Sequence, residues 1–446
     1  MLLQSSDHGV ARCLRRAALL APVAAALAAA QTSFSGSFVL PLGDDVIRYE
    51  SSTPDDPVAR LARRLERGEA HLEYREPNGY LLSVLENLHV PLSSQTLVFS
   101  KTSFQQALIS PAAPRALYFN DDVYVGWVQG GDVVELASVD PSLGTIFYTL
   151  PQRRTGQPKF MRQAECLQCH ASPNTLGVPG LLVRSVYPDR EGFPQLQAGS
   201  FLTDHESPFR ERWGGWYVTG THGQQRHMGN VWVKDKEHPD RLDVDAGANV
   251  TSLARRLDLT PYPRPHSDIV ALMVLEHQTR LHSLITRVNW ETRMALAQQH
   301  AMNEALHEPA DQLSESTRRR INGGVETLLR YMLFTGEPKL EAPVRGTSGF
   351  QDEFPKAGPK DHLGRSLRDL DLQRRMFRYP CSFLIYSDAM ADLPKPALDY
   401  FYRRLWEVLN GREKGKDFAG LTAEDRAATL EILRDTMPRL PEYWRP

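Results

Sequence analysis

Two textures divide the chain. From Leu97 to Asp235, short runs rich in Val, Tyr and Phe are broken by Asn-Asp, Gly-Gly and Pro: LVFSKTSF, RALYFNDDVYVGWV, DVVELASVD and TIFYTLP. After a cysteine-bearing segment the texture resumes in LLVRSVYP, GSFLTD, GWYVTGTH and NVWVKD. Such runs predict strands of an antiparallel sheet, with Gly130-Gly131 as a hairpin turn. An earlier stretch, ARLARRLERGEAHL, reads as helix. From Ser267 the period changes. Leu281, Leu284, Ile285 and Val288 keep i, i+3, i+4 spacing within one long helical pattern. Its first part, Ile269 to Leu275, is apolar on nearly every side, which predicts burial all round. A second helix is expected over 315–334.

The tail is helical as well. Pro396 stands where a helix start tolerates proline and Gly411 where a helix end favours glycine. Leu398, Phe401, Leu405 and Val408 mark the buried face between them. Thr422-Ala423-Glu424-Asp425 is a capping-box pattern that opens a last helix. Residues 336–364, rich in Gly, Pro and charge, read as a linker or long surface loop. The fold class expected is α+β: a mixed antiparallel-sheet region followed by a mainly α-helical C-terminal region. The divisions are 31–265 (β-rich), 266–335 (long helices), 336–364 (loop) and 365–446 (helical). A chain of 446 residues exceeds one ordinary core, which agrees with several units.

The first thirty residues differ from both textures. Arg12, Arg15 and Arg16 precede the apolar run Ala17 to Ala30, which ends in Ala28-Ala29-Ala30. This is the pattern of a secretory signal peptide cleaved near Ala30. Fourteen apolar residues are short of the about 20 a membrane helix needs, so cleavage is preferred to anchoring. No later apolar stretch reaches that length, and the mature chain is expected to be periplasmic or otherwise exported. The net charge of −2, with no basic run, excludes nucleic acid as the expected partner.

Cys13 falls in the leader, leaving Cys166, Cys169 and Cys381. Three cysteines do not make a disulfide framework. Two of them stand in CLQCH, the attachment sequence for a c-type haem. Two intervening residues let both sulfurs reach the vinyl groups of one porphyrin edge. The adjoining His170 then meets the iron as proximal ligand. A dithiol of the thioredoxin kind needs no histidine after it. A zinc site needs two more ligands. His222 and His227 have half-site spacing, but lie far beyond Cys169 for a finger. Cys381 reads as a buried unpaired thiol.

The sixth iron position has its best candidates in THGQQRHMGN, where Met228 and His227 rank nearly equal. His277, next to Glu276 in the apolar helix, is the outside candidate. The plain alternative for it is a hydrogen-bonded core pair with Glu276, extended to Arg280. His205 in FLTDHESP reads as an exposed loop residue.

Leader and CLQCH together resemble exported bacterial monohaem c-type cytochromes. The compact helical class I fold is not expected, because here the motif is mid-chain and followed by strand-like sequence. The resemblance implies one covalent haem c and electron transfer in the cell envelope with a redox partner protein. Two other classes stand beside it: a haem enzyme of peroxidase or oxygenase type, and a haem-based redox or ligand sensor. Whether the chain is an enzyme stays open at this point, with an electron carrier favoured.

Overall fold

The computed structural model describes residues 39–413 and 415–445, and the leader expected over 1–30 lies outside the described residues. An antiparallel sheet in the N-terminal half is followed by a mainly helical C-terminal region, so the fold is α+β. The sheet is built from β1 (Thr96–Val98), β2 (Arg115–Phe119), β3 (Val123–Trp127), β4 (Val133–Asp140), β5 (Gly144–Pro151), β6 (Met161–Arg162) and β9 (Trp216–Tyr217). Their order is β6-β5-β4-β3-β2-β1-β9, with every pair antiparallel. The expected hairpin turn at Gly130-Gly131 joins β3 to β4. A separate hairpin pairs β7 (Val183–Val186) with β8 (Ser200–Thr203).

Each sheet face has its own cover. On one side Asp56 caps helix α1 (Pro57–Glu66), its Oδ1 accepting from the backbone of Val58 and Ala59. Its Oδ2 accepts from the Tyr148 hydroxyl of β5 at 2.6 Å. Helix α2 spans Leu81–Asn87; the motif turn α3 (Leu167–His170) lies on the other side, its His170 against Phe147, which shares a face with Tyr124. The opposite face meets helix α4 (Ile269–Leu306), 38 residues long and so about 57 Å from end to end. Gln278 of α4 donates to the Tyr124 hydroxyl and to the Asn120 carbonyl, both at 2.8 Å. The Trp290 indole donates to the Ser142 carbonyl at 3.1 Å. As the apolar run predicts, Ile269 to Leu275 are all buried.

Four of the remaining helices pack against α4: α5 (Glu315–Met332), α6 (Phe350–Glu353), α7 (Asp388–Ala391) and α8 (Lys395–Leu409); α9 (Ala423–Thr436) packs on α8. Phe401, Leu405 and Val408 form the buried face of α8. The capping box of α9 is formed in both directions, Thr422 accepting from Asp425 N–H and Asp425 from Thr422 N–H. Residues 336–364 hold only α6 and the short 3-10 turn Phe354–Ala357, and the rest of the stretch is tied down. Asp268, the N-cap of α4, accepts from Thr347 and Ser348 N–H at 2.6 and 2.8 Å, and Phe350 and Phe354 are buried. Burying each ring contributes about 2 kcal/mol. NVWVKD is not a strand. Val231 and Val233 are buried from coil, and Val233 N–H donates to the Pro188 carbonyl instead of to a ladder. Among the described residues no helix is long and apolar enough to cross a membrane.

Candidate functional site

CLQCH folds as a single helical turn. Cys166 is its N-cap, Leu167 is its buried anchor, and Ala171 ends it. Pro173 then starts a second tight turn, in which Ser172 and Thr175 cap each other reciprocally. The chain returns at Gly180 and binds the motif twice. Gly180 N–H donates to the His170 carbonyl at 2.9 Å, and His170 Nδ1–H donates to the Gly180 carbonyl at 3.0 Å. A carbonyl can only accept, so Nδ1 carries the proton and Nε2 of the neutral ring presents a lone pair. Nε2 forms no hydrogen bond among the described residues. Burial lowers the His170 pKa below the ordinary imidazole value, although the Gly180 bond pulls the other way. The Phe147 ring of β5 lies against the imidazole, 4.9 Å between centroids.

Gly180 itself is braced from α4. A Cβ there would stand 2.4 Å from Ser283 Oγ, so glycine lets the loop approach the helix with Ser283 in its present rotamer. The two thiols are free. Cys166 is half-buried and Cys169 exposed. Burial raises the Cys166 pKa above the usual thiol value, with Glu135 adding to it. Glu135 is ion-paired with Arg115 beside it, and Gly126 leaves the room that the Arg115 guanidinium fills. Among the described residues, Phe104, Leu108, Met161, Leu196 and Leu202 are large apolar side chains left exposed. Met161 is five residues ahead of Cys166, and Leu202 lies in the hairpin that follows the motif.

The other candidates are placed elsewhere. Met228 is buried, with its Sδ accepting from Ser185 Oγ at 3.6 Å. His227 is buried against Trp213 and His222; its Nδ1 accepts from Gly229 N–H at 3.0 Å, and its Nε2 has no partner among the described residues. His222 has both nitrogens engaged, Nδ1 donating to the Gln225 carbonyl and Nε2 accepting from Asn249 N–H. No contact joins Met228 or His227 to His170 among the described residues. His277 is wholly buried: Nδ1 shares a 2.7 Å hydrogen bond with His205 Nδ1, and Nε2 another of 2.7 Å with Ser382 Oγ.

Two expectations fail at this point. His205 is not an exposed loop residue: it is 1 % exposed, packed on Tyr331 and Phe334 and bonded to His277. Glu276 and His277 do not pair with each other, since neighbours on a helix point to different sides. Glu276 pairs with Arg212 at 3.3 Å, while Arg280 faces Asp204 at 3.9 Å. Burial pushes the Glu276 pKa up to about 7 against the pull of Arg212. Cys381 is fully buried and unpaired, and burial raises its pKa strongly.

Among the described residues one group of three donors is close enough to hold a metal ion, Asp361, His362 and Asp435, and it includes neither motif cysteine. No family, no curated protein and no solved structure matches the chain.

Proposed function

We propose that the chain is an exported c-type cytochrome that carries one haem c, joined through thioethers at Cys166 and Cys169 and ligated by His170, and that it transfers electrons in the cell envelope. The observation that carries the reading is the two-way bond between His170 and Gly180. It fixes the tautomer and the ring direction that a metal-bound imidazole needs, with Nδ1–H held by a carbonyl and Nε2 left for the metal. The residues present fit the group in two further respects. The thiols occur in one helical turn with solvent access, and Met161, five residues ahead of Cys166, is exposed. When bound, the haem supplies a one-electron iron couple. The protein's own part is to hold His170 in orientation and neutral. It also places the Arg115–Glu135 pair beside Cys166, where its charges bear on the site's electrostatics.

A distal ligand from Met228, His227 or His277 carries a cost. Each has an existing bond to break, and for His277 both nitrogens are engaged. Met228 and His227 therefore rank ahead of His277. The test is a pyridine haemochrome assay on protein matured by a cytochrome c assembly system. Pigment that stays with the protein through acidified acetone supports the proposal. Colourless protein, or pigment that is extracted, overturns it.

A further inference from the structure

A cleft of about 570 Å³ opens beside the sheet edge formed by β9, lined in part by Lys101, Arg190, Glu191, Phe193, Trp232 and Arg256. This is the size at which small molecules are taken up. Three cations face one carboxylate, and none of the three forms an ion pair among the described residues. Lys101 Nζ donates to the Gln106 carbonyl at 3.1 Å and stands 5.1 Å from the centre of the Phe193 ring. The Arg256 guanidinium is held in place by the carbonyls of Asn230 and Ala246 at 2.7 and 2.9 Å, both neutral acceptors. Arg190 is exposed and forms no hydrogen bond among the described residues.

A second cleft, of about 540 Å³, supplies the contrast. There Arg280 faces Asp204 at 3.9 Å and Arg330 faces Asp417 at 3.6 Å, so its charge is answered from within. In the first cleft the positive charge has no such answer. It also has uncovered ring surface: Phe193 is 48 % exposed, Trp232 is half-buried, and the Trp232 indole N–H has no acceptor among the described residues. Cations without an ion-pair partner beside aromatic faces in a concavity select an anion on a flat ring.

We propose that this cleft binds a small anion carrying a flat ring, with its carboxylate or phosphate group met by Arg190, Lys101 and Arg256 and its ring against Phe193 and Trp232. Glu191 selects against polyanions and offers an acceptor to a hydroxyl or amino substituent on the ring. The lining shares no residue with CLQCH, so this assignment stands or falls apart from the haem reading.

The experiment is isothermal titration of the purified full chain, as matured, with 4-hydroxybenzoate, with AMP and with inorganic phosphate at low salt. At least one of the two ring-bearing anions binds, and which one distinguishes a carboxylate from a phosphate head. Arg190→Gln weakens that binding about tenfold through the lost charge-assisted contact, and Phe193→Ala weakens it about fivefold through the lost ring contact. Both side chains are exposed, so neither change threatens the fold. Three results would each overturn the proposal: no heat from either ring-bearing anion at millimolar concentration, unchanged affinity in both variants, or inorganic phosphate binding as tightly as AMP.

Discussion

The turn around His170 and the helix around His277 present the same side chain in opposite ways. His277 closes its account: the residue is wholly buried and both ring nitrogens are bonded, to His205 and Ser382. His170 leaves its account open, with one nitrogen clamped by Gly180 and the other unbonded beside two free thiols. Buried polar groups are normally satisfied within the protein. On the reading proposed above, the open Nε2 of His170 is the position kept for the iron. Histidines as such do not separate the two cases, since each lies in a well-formed element.

The comparison breaks most sharply at the cysteines. Replacing both, Cys166→Ala with Cys169→Ala, is expected to abolish covalent haem while far-UV circular dichroism stays native. Retained acid-acetone-resistant pigment would remove the distinction altogether. In the helical region the largest effect belongs to Glu276→Ala. It leaves buried Arg212 with only the His205 and Ser207 carbonyls as partners, at a cost of about 3 kcal/mol in urea unfolding. His277→Ala follows at about 2 kcal/mol, because it leaves Ser382 and His205 short of a partner. The haem spectrum should not change with it, and a changed spectrum would return His277 to the axial position.

Acid sharpens the same contrast. Burial lowers the pKa of His277 to about 3 and of His282 to about 4, from an ordinary 6.5. The unfolded chain therefore takes up these protons first as pH falls. The stability they contribute is complete above 6.5 and drains away towards 4 and then 3, by up to about 1.4 kcal/mol per group per pH unit. Glu276, raised to about 7, has the opposite sign: its contribution is complete below its ordinary 4.5 and is lost as pH rises through 7. His282→Gln keeps a donor for the Asp121 carbonyl and should flatten the acid limb of the urea midpoint against pH. The smallest effect is Thr422→Ala in the tail, about 1 kcal/mol for one lost cap. It should leave the pigment untouched.

Much of the architecture is legible in the residues. The spacing of Leu281, Leu284, Ile285 and Val288 marks α4, Gly130-Gly131 marks the hairpin, and Thr422 with Asp425 marks the last cap. These signals are local, and the physics behind them is local. The failures are tertiary. FLTDHESP is polar throughout from Thr203 to Ser207, and nothing within it reveals that His205 lies under Tyr331 and Phe334, more than a hundred residues away. NVWVKD has the Val-rich texture of a strand, yet its valines are buried without a ladder, because apolar texture reports burial and not what the backbone bonds to. In the Gly- and Pro-rich stretch, Phe350 and Phe354 were the signal available, two large rings where a free loop carries few. At the motif, CLQCH is evident from spelling alone. The Gly180 clamp is not, since a glycine's worth here depends on Ser283, which arrives from a distant helix.

That distance has a consequence for timing. Ser283 braces Gly180 from more than a hundred residues downstream. A polypeptide threaded through a pore with its N-terminus leading delivers Cys166, Cys169 and His170 while the helix that will later close over the sheet has still to emerge. If the chain is exported and matured as proposed, the pentapeptide is modified before the segment that carries Ser283 arrives to pack against Gly180.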